Sequence, residues 1–339
     1  MRRFAYSRAD DARAAVGAAT GTPGHRTPPT SAPVQFIAGG TTILDLMKLD
    51  VMRPSALVDI NGLSTEHGSI SVDQGGLRLG AFVHMAAAAE HPDVLRDYPV
   101  IAESLHLAAS AQLRNMATLG GNVLQRTRCS YFRDLAWNAC NKRVPGSGCA
   151  ALEGVNRRHA LLGVSEKCIA AYPGDLALAL VALGATVETV GPGGKRIVPF
   201  ERLHTGSDMP EVETVLLPGE VITAFVVPAG AWTRRSTYVK VRDRQSYEFA
   251  VTSAAVALDL DGDTVREARI ALGGVAYRPW RSHAAEAVLK GKSLDTSLAT
   301  RAARAAFADA QPREYNRFKI DLGQRTIERA LLQAQAMVV

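Results

Sequence analysis

Residues 118–122, Thr118-Leu119-Gly120-Gly121-Asn122, and residues 172–175, Tyr172-Pro173-Gly174-Asp175, enclose a segment that carries every cysteine of a 339-residue chain. The first motif offers a hydroxyl, two backbone positions without side chains and an amide. Those are parts a diphosphate can use, because glycines let the backbone approach closely and polar groups meet the charge. The same residues also describe a glycine-rich turn that packs two strands. A second pair upstream favours the phosphate reading. Val34-Gln35-Phe36-Ile37-Ala38-Gly39-Gly40-Thr41-Thr42-Ile43 reads as an apolar strand running into Gly39-Gly40, with a helix opening at Thr41 or Thr42. The first N–H groups of such a helix are free and can point at an anion. A dinucleotide has two phosphates and can use both turns. Neither is the G-x-G-x-x-G of a Rossmann turn.

Between the two motifs stand Cys129, Cys140, Cys149 and Cys168, spaced C-x10-C-x8-C-x18-C. That spacing lacks the C-x2-C pairs of zinc ribbons and ferredoxins, so it does not choose a metal by itself. Disulfides would be unusual, because the start Met1-Arg2-Arg3-Phe4-Ala5-Tyr6 has no apolar signal-peptide region. Clustering argues against four unrelated buried thiols. Four thiolates suit either Zn2+ or a [4Fe–4S] cluster. From Arg126 to Cys168 there are Arg126, Arg128, Arg133, Lys142, Arg143, Arg157, Arg158 and Lys167 against Asp134, Glu153 and Glu166. This excess of cations would offset the charge of thiolates.

The bulk figures are ordinary for a soluble globular chain: 47% hydrophobic, 21% charged, net charge +6. The length suits two or three domains. No apolar run approaches the roughly 18–20 residues of a membrane span. No aromatic-interleaved basic stripe, helix-turn-helix or RNP-like motif is present, which argues against nucleic acid. The expectation is a cytoplasmic protein, periplasmic only if a partner carries the export signal.

The remaining elements follow from pattern. A strand at Phe4–Tyr6 and a helix from about Asp10 precede a Gly/Pro/Thr/Ser loop, Gly21 to Pro33, whose composition suggests mobility. Short strands lie around 56–60 and 77–81, and a helix from Met85 is interrupted by Pro92. A single helix is expected over 98–116. After the cysteines come a helix at 175–183, strands at 184–190, 196–200 and 221–228, and the linker Ala229-Gly230-Ala231. Strands at 237–241, 251–260 and 265–272 then precede helices at about 282–290, 297–310 and 322–337. Asp261-Gly262-Asp263 is a hairpin signal. The last third therefore reads as a small antiparallel sheet with helices on one side.

Three stretches together, Phe36-Ile37-Ala38-Gly39-Gly40-Thr41-Thr42, Leu113 to Asn122, and Ala171-Tyr172-Pro173-Gly174-Asp175-Leu176-Ala177, resemble the FAD-binding medium subunit of the xanthine dehydrogenase family of molybdenum hydroxylases. The resemblance implies an α+β fold. A two-subdomain FAD-binding region of the vanillyl-alcohol-oxidase type would span 1–228, with the cysteine insert at about 126–170. A C-terminal domain like that of carbon monoxide dehydrogenase flavoproteins would span 232–339. In most of the family the two motifs of the opening paragraph lie a few residues apart. The 40-residue insert here resembles two subgroups, bacterial periplasmic-type aldehyde oxidoreductases and 4-hydroxybenzoyl-CoA reductases, whose flavin subunits carry an extra [4Fe–4S] cluster. Gly121 to Cys129 is closer to the aldehyde oxidoreductase pattern.

Carried over residue by residue, the resemblance assigns Ala38, Gly39, Gly40, Thr41, Thr42 and Ile43 to the pyrophosphate and adenosine side of FAD. It assigns Thr118, Gly120, Gly121 and Asn122 to the other side of the diphosphate. Asp175 would accept from cofactor hydroxyls, Ile222 would pack on the flavin ring, and Lys240 would approach it from the C-terminal domain. Cys129, Cys140, Cys149 and Cys168 would hold the [4Fe–4S] cluster. The chain would then be an electron-transfer subunit with no substrate-binding catalytic residue of its own. A large partner would carry the molybdenum cofactor and a small partner [2Fe–2S] clusters. Two rivals are a stand-alone flavin oxidase of the vanillyl-alcohol oxidase type and a zinc-stapled assembly subunit. The first commonly tethers FAD through a histidine, which the Gly39-Gly40 stretch lacks.

Overall fold

The computed structural model describes residues 1–20 and 27–339, so residues 21–26 of the expected Gly21–Pro33 loop lie outside the described residues. Three sheets organise the described residues. The first contains β1 (Ala5–Arg8), β2 (Val34–Ile37) and β3 (Ala56–Asp59), parallel in the order β1-β3-β2. The second contains β4 (Ile70–Asp73), β5 (Gly76–Gly80), β6 (Thr186–Gly191), β7 (Gly194–Pro199) and β8 (Val221–Pro228). It is antiparallel in the order β4-β5-β8-β6-β7. The cysteine insert therefore separates strands that belong to one sheet.

The third sheet is antiparallel in the order β12-β11-β10-β9, from β9 (Ser236–Val241), β10 (Thr252–Asp261), β11 (Thr264–Gly273) and β12 (Trp280–Arg281). The short edge strand β12 adds to the three expected from sequence. The helices His283–Leu289 and Lys319–Gln335 pack on the sheet as expected, and Thr296–Ala306 packs against both of them. Strand β10 is buried on both faces, which is why it reads as a nearly continuous apolar run. Ala254, Val256 and Leu258 join the core under those helices, while Ala255 and Ala257 join the core of the first part of the chain. This split is the period of two that a strand imposes.

The helix Leu176–Ala182 lies at the centre of the molecule. Every residue in it is buried, and it packs against Pro99–His106, β10 and β11. A helix apolar on all sides has no solvent face to offer.

The single helix expected over 98–116 is two, Pro99–His106 and Ala111–Met116. Ala109 between them has a φ of +47°. Both new ends are capped. The Leu107 carbonyl accepts from Lys240 Nζ at 3.0 Å and Arg242 Nη1 at 3.1 Å, and Ser110 Oγ accepts from the Leu113 N–H at 3.3 Å. Apolar periodicity continues across the break, and the partners that end the first helix come from the end of β9 and the residue after it, so the sequence pattern did not reveal it. Pro92, expected to interrupt a helix, also starts one, Pro92–Asp97, where its missing N–H costs nothing.

Candidate cofactor site

A cavity of about 330 Å3 opens between the first two sheets, the insert and the edge of the third-sheet domain. Ala38 to Ile43 line it without a gap, together with Thr118, Gly120, Gly121 and Ile222. Both glycine pairs therefore face one space.

The upstream pair sits between β2 and the helix Ile43–Lys48. Among the described residues, no N–H from Gly39 to Thr42 donates to a backbone acceptor. Gly40 has a φ of +73°, a left-handed conformation that favours glycine. A Cβ on Gly39 would fall 1.9 Å from the Met116 carbonyl oxygen, so only glycine lets this turn lie against the segment leading to Thr118. Unpartnered N–H groups at a helix start, bordering a cavity, fit the phosphates of a dinucleotide.

The downstream pair is not the turn between strands that the sequence also allowed. It lies in the first turn of the helix Leu119–Val123. The Gly120 N–H donates to the Ala81 carbonyl at 2.8 Å and the Gly121 N–H to Thr118 Oγ1 at 3.2 Å. Tyr172 Oη and His204 Nε2 both donate to the Val123 carbonyl, at 2.8 and 3.0 Å, and fix the end of the helix. Burial lowers His204 to a pKa of about 4, which keeps the ring neutral for that bond.

Three expected residues do not line the cavity. Asn122, in the helix Leu119–Val123, turns its side chain to Met85, with Nδ2 3.4 Å from Met85 Sδ and Oδ1 buried without a partner. Asp175 and Lys240 are committed to each other. Lys240 Nζ donates to Asp175 Oδ2 at 2.8 Å, and Tyr238 Oη donates to Asp175 Oδ1 at 2.5 Å. Both side chains are at least 95% shielded from solvent, and they join the central helix to β9. Asp175, expected to accept from cofactor hydroxyls, and Lys240, expected to approach the flavin, are joined in this ion pair between domains. A buried carboxylate needs such partners, and β9 supplies them.

Sequence reasoning missed one wall of the cavity, formed by Arg126, Lys142, His204, Glu213, Tyr277 and Arg278. The insert's cations were read only as charge. Glu213 accepts from Arg126 Nε at 2.5 Å and from Lys142 Nζ at 2.8 Å. Lys142 Nζ also donates to the Pro210 carbonyl and to Tyr277 Oη. Burial alone would push the Glu213 carboxyl up, but Arg126 and Lys142 overcome it and bring its pKa to about 2. Both terminal nitrogens of Arg126 are buried without a partner, on a side chain that borders the cavity.

All four cysteines line a second, smaller cavity of about 10 Å3. Thr127, Lys142 and Ala170 line both cavities, so the two share a wall. Local hydrogen bonds explain how distant cysteines meet. Cys140 and Cys149 pair across a short antiparallel ribbon, where the Asn141 N–H donates to the Gly148 carbonyl at 2.7 Å. Asn141 Nδ2 reaches the Lys167 carbonyl at 2.9 Å and draws in the Ser165–Cys168 turn. Thr127 Oγ1 accepts from the Cys129 N–H and donates to the Ala171 carbonyl. Arg143 donates to the carbonyls of Tyr131, Phe132, Asp134 and Trp137, which fans the 131–137 segment around one guanidinium. Arg128 and Arg133 tie the insert to Asp45 on the helix Ile43–Lys48.

Burial pushes the Cys129 thiol up to about 12, whereas a hydrogen bond from Cys168 brings Cys149 down to about 6. His159 Nε2 stands 3.2 Å from Cys129 Sγ, and burial, helped by Lys319, lowers its pKa to about 4. Among the described residues, no three His, Cys, Asp or Glu side chains are gathered closely enough to share one metal ion. Among those residues, no helix is long and apolar enough to cross a membrane.

Comparison with known proteins agrees with this geometry. Residues 2–230 match the FAD binding domain in molybdopterin dehydrogenase, and residues 237–334 the CO dehydrogenase flavoprotein C-terminal domain. The aldehyde oxidoreductase FAD-binding subunit PaoB of Escherichia coli K12 is 45% identical over 340 residues, covering 99% of each chain. The carbon monoxide dehydrogenase medium chain of Hydrogenophaga pseudoflava is 28% identical over 89% of each. A solved carbon monoxide dehydrogenase from the same organism superposes with a TM-score of 0.75 at 27% identity, over 99% of this chain and 98% of that one. Quinoline 2-oxidoreductase from Pseudomonas putida 86, at 24% identity and a TM-score of 0.74, shares the fold. This chain belongs to the family of FAD-binding medium subunits of the molybdenum hydroxylases.

Proposed function

We propose that this chain is the FAD- and [4Fe–4S]-carrying electron-transfer subunit of a heteromeric molybdenum-containing aldehyde oxidoreductase. It would receive electrons from [2Fe–2S] clusters on a small partner and, through FAD, give them to an external acceptor. The substrate would be oxidised at the molybdenum cofactor of a large partner. The observation that carries the reading is the shared wall: one cavity bordered by both glycine pairs abuts another bordered by all four cysteines. The 45% identity with an aldehyde oxidoreductase subunit supports the substrate class.

FAD supplies the exchange of single electrons and pairs. The chain's own residues hold it: the N–H groups of Gly39 to Thr42 meet phosphate, Gly120 and Gly121 leave room, and Ile222 packs on the ring. Cys129, Cys140, Cys149 and Cys168 hold the cluster, and the neighbouring arginines and lysines balance its charge. Four cysteines lining one small cavity supply the thiolate donor set that a [4Fe–4S] cluster takes. Each thiolate of a cluster meets a different iron, whereas the ligands of zinc meet one centre.

The test is a visible spectrum of the anaerobically purified complex, with flavin, iron and zinc assayed on the same sample. Flavin, with more iron than the partner's [2Fe–2S] centres explain, is the expected result. Flavin with zinc reduces the insert to a staple. A complete, active monomer overturns the subunit reading. Turnover of 4-hydroxybenzoyl-CoA instead of aldehydes overturns the substrate class.

A further inference from the structure

His159 lies in the insert between Cys149 and Cys168 and is 4% exposed. Its Nε2 stands 3.2 Å from Cys129 Sγ. Its Nδ1 is buried and has no hydrogen-bond partner. The backbone of His159 is anchored on both sides, and its ring is packed. The His159 N–H donates to the Asn156 carbonyl at 2.9 Å, and the His159 carbonyl accepts from Lys319 Nζ at 3.0 Å. Tyr131 packs against the ring, with centroids 5.9 Å apart.

With Cys129 a thiolate, as cluster binding requires, these contacts favour one tautomer of the ring. A proton on Nδ1 would be buried with no acceptor, and the bare Nε2 lone pair would face sulfur. A proton on Nε2 meets the sulfur, and a thiolate can only accept. Protons on both nitrogens would bury a charged N–H with no partner close to the Lys319 ammonium.

We infer that His159 is a positioning residue that donates its Nε2–H to the Cys129 thiolate and so raises the reduction potential of the cluster this thiolate holds. The inference rests on the cluster reading above. Reduction adds negative charge to the cluster and its thiolates, and a hydrogen bond to a ligand sulfur stabilises that charge. The bond also fixes the direction of the Cys129 sulfur, as groups behind metal ligands commonly do.

The experiment uses the whole complex, labelled with 15N-histidine and reduced anaerobically. Pulsed EPR on the reduced [4Fe–4S] signal should show one weak histidine nitrogen coupling. The coupling should vanish in His159→Phe. Redox titration followed by EPR should place the midpoint of His159→Phe below that of the wild type, with His159→Gln recovering part of the difference because its amide still donates. Wild-type complex without a histidine coupling overturns the inference, as does a coupling strong enough for a direct iron–nitrogen bond. An unchanged midpoint in His159→Phe at full iron content overturns it as well. Wild-type complex without the extra iron overturns the cluster reading itself, and this inference with it.

Discussion

The two glycine pairs look alike in sequence and play opposite parts. Gly39-Gly40 presents N–H groups that no backbone acceptor among the described residues uses. At Gly120-Gly121 the N–H groups are already engaged, by the Ala81 carbonyl and Thr118 Oγ1. The first pair is equipped to hold a ligand. The second is built into the fold and contributes a surface without side chains. The same two residues therefore mean donors in one place and clearance in the other, and hydrogen bonds with the rest of the chain decide which.

The third motif sharpens this contrast most. Asp175 belongs in sequence with the second pair, yet it closes a domain seam. Lys240→Met should cost about 3–5 kcal/mol, because it leaves a buried carboxylate without its cation. Chemical denaturation should show that loss, while flavin per folded protein stays near the wild-type value. Loss of flavin without loss of stability would return Lys240 and Asp175 to the cofactor.

Next is the wall opposite the glycines. The Glu213 carboxyl is lowered from 4.5 to about 2 in the folded chain. A depressed carboxyl contributes stability that is full above its unfolded pKa and fades as pH falls through the folded one. The contribution is about 3 kcal/mol. Unfolding measured from pH 7 downwards should lose it between about pH 4.5 and pH 2. Glu213→Gln should flatten that part of the profile, and an unchanged slope would remove Glu213 from the wall's energetics.

Gly39→Ala tests the first pair directly. Its Cβ would meet the Met116 carbonyl at 1.9 Å, and a backbone atom cannot step aside as a side chain can. The cost should be about 1–3 kcal/mol of stability. FAD should bind at least about tenfold more weakly, about 1.4 kcal/mol, because the N–H groups move away. Flavin content after dialysis and titration of the apo complex with FAD measure this. Unchanged affinity would break the comparison.

The smallest change tests the second pair. Thr118→Ala removes the side-chain acceptor of the Gly121 N–H. It should cost about 1 kcal/mol in thermal stability, with FAD affinity changed by less than in Gly39→Ala. A larger effect on affinity than on stability would mean that the second pair also serves as a ligand clamp.

Much of the cavity lining was legible because turn chemistry is local. The Gly39-Gly40 turn with its helix start, and Thr118, Gly120 and Gly121, could be read from glycines beside strand and helix signals; the family resemblance extended the first to Ala38 to Ile43, and all of them line one cavity. The four cysteines stood out because the chain has no others. Arg126, Lys142 and Glu213 were not legible as a unit, since Glu213 is 71 residues from the lysine it pairs with. Nor was the break at Leu107–Ser110, whose cap comes from β9. His159 was invisible for the same reason: one histidine in a basic segment carries no signal until the fold sets it against Cys129. Local chemistry survives in one dimension, whereas partnerships across the chain do not.

The central helix Leu176–Ala182 bears on how this protein can be cut. The two family matches meet between residues 230 and 237, at the linker. The core does not divide there. The helix shares one apolar cluster with Tyr238, Ala255, Ala257 and Ala271 from beyond the linker. Proteolysis or truncation at the linker would strip one flank of a helix that has no polar side to turn outward. The halves would emerge as sticky fragments, not as modules that can be exchanged. For engineering, the practical unit is the whole chain.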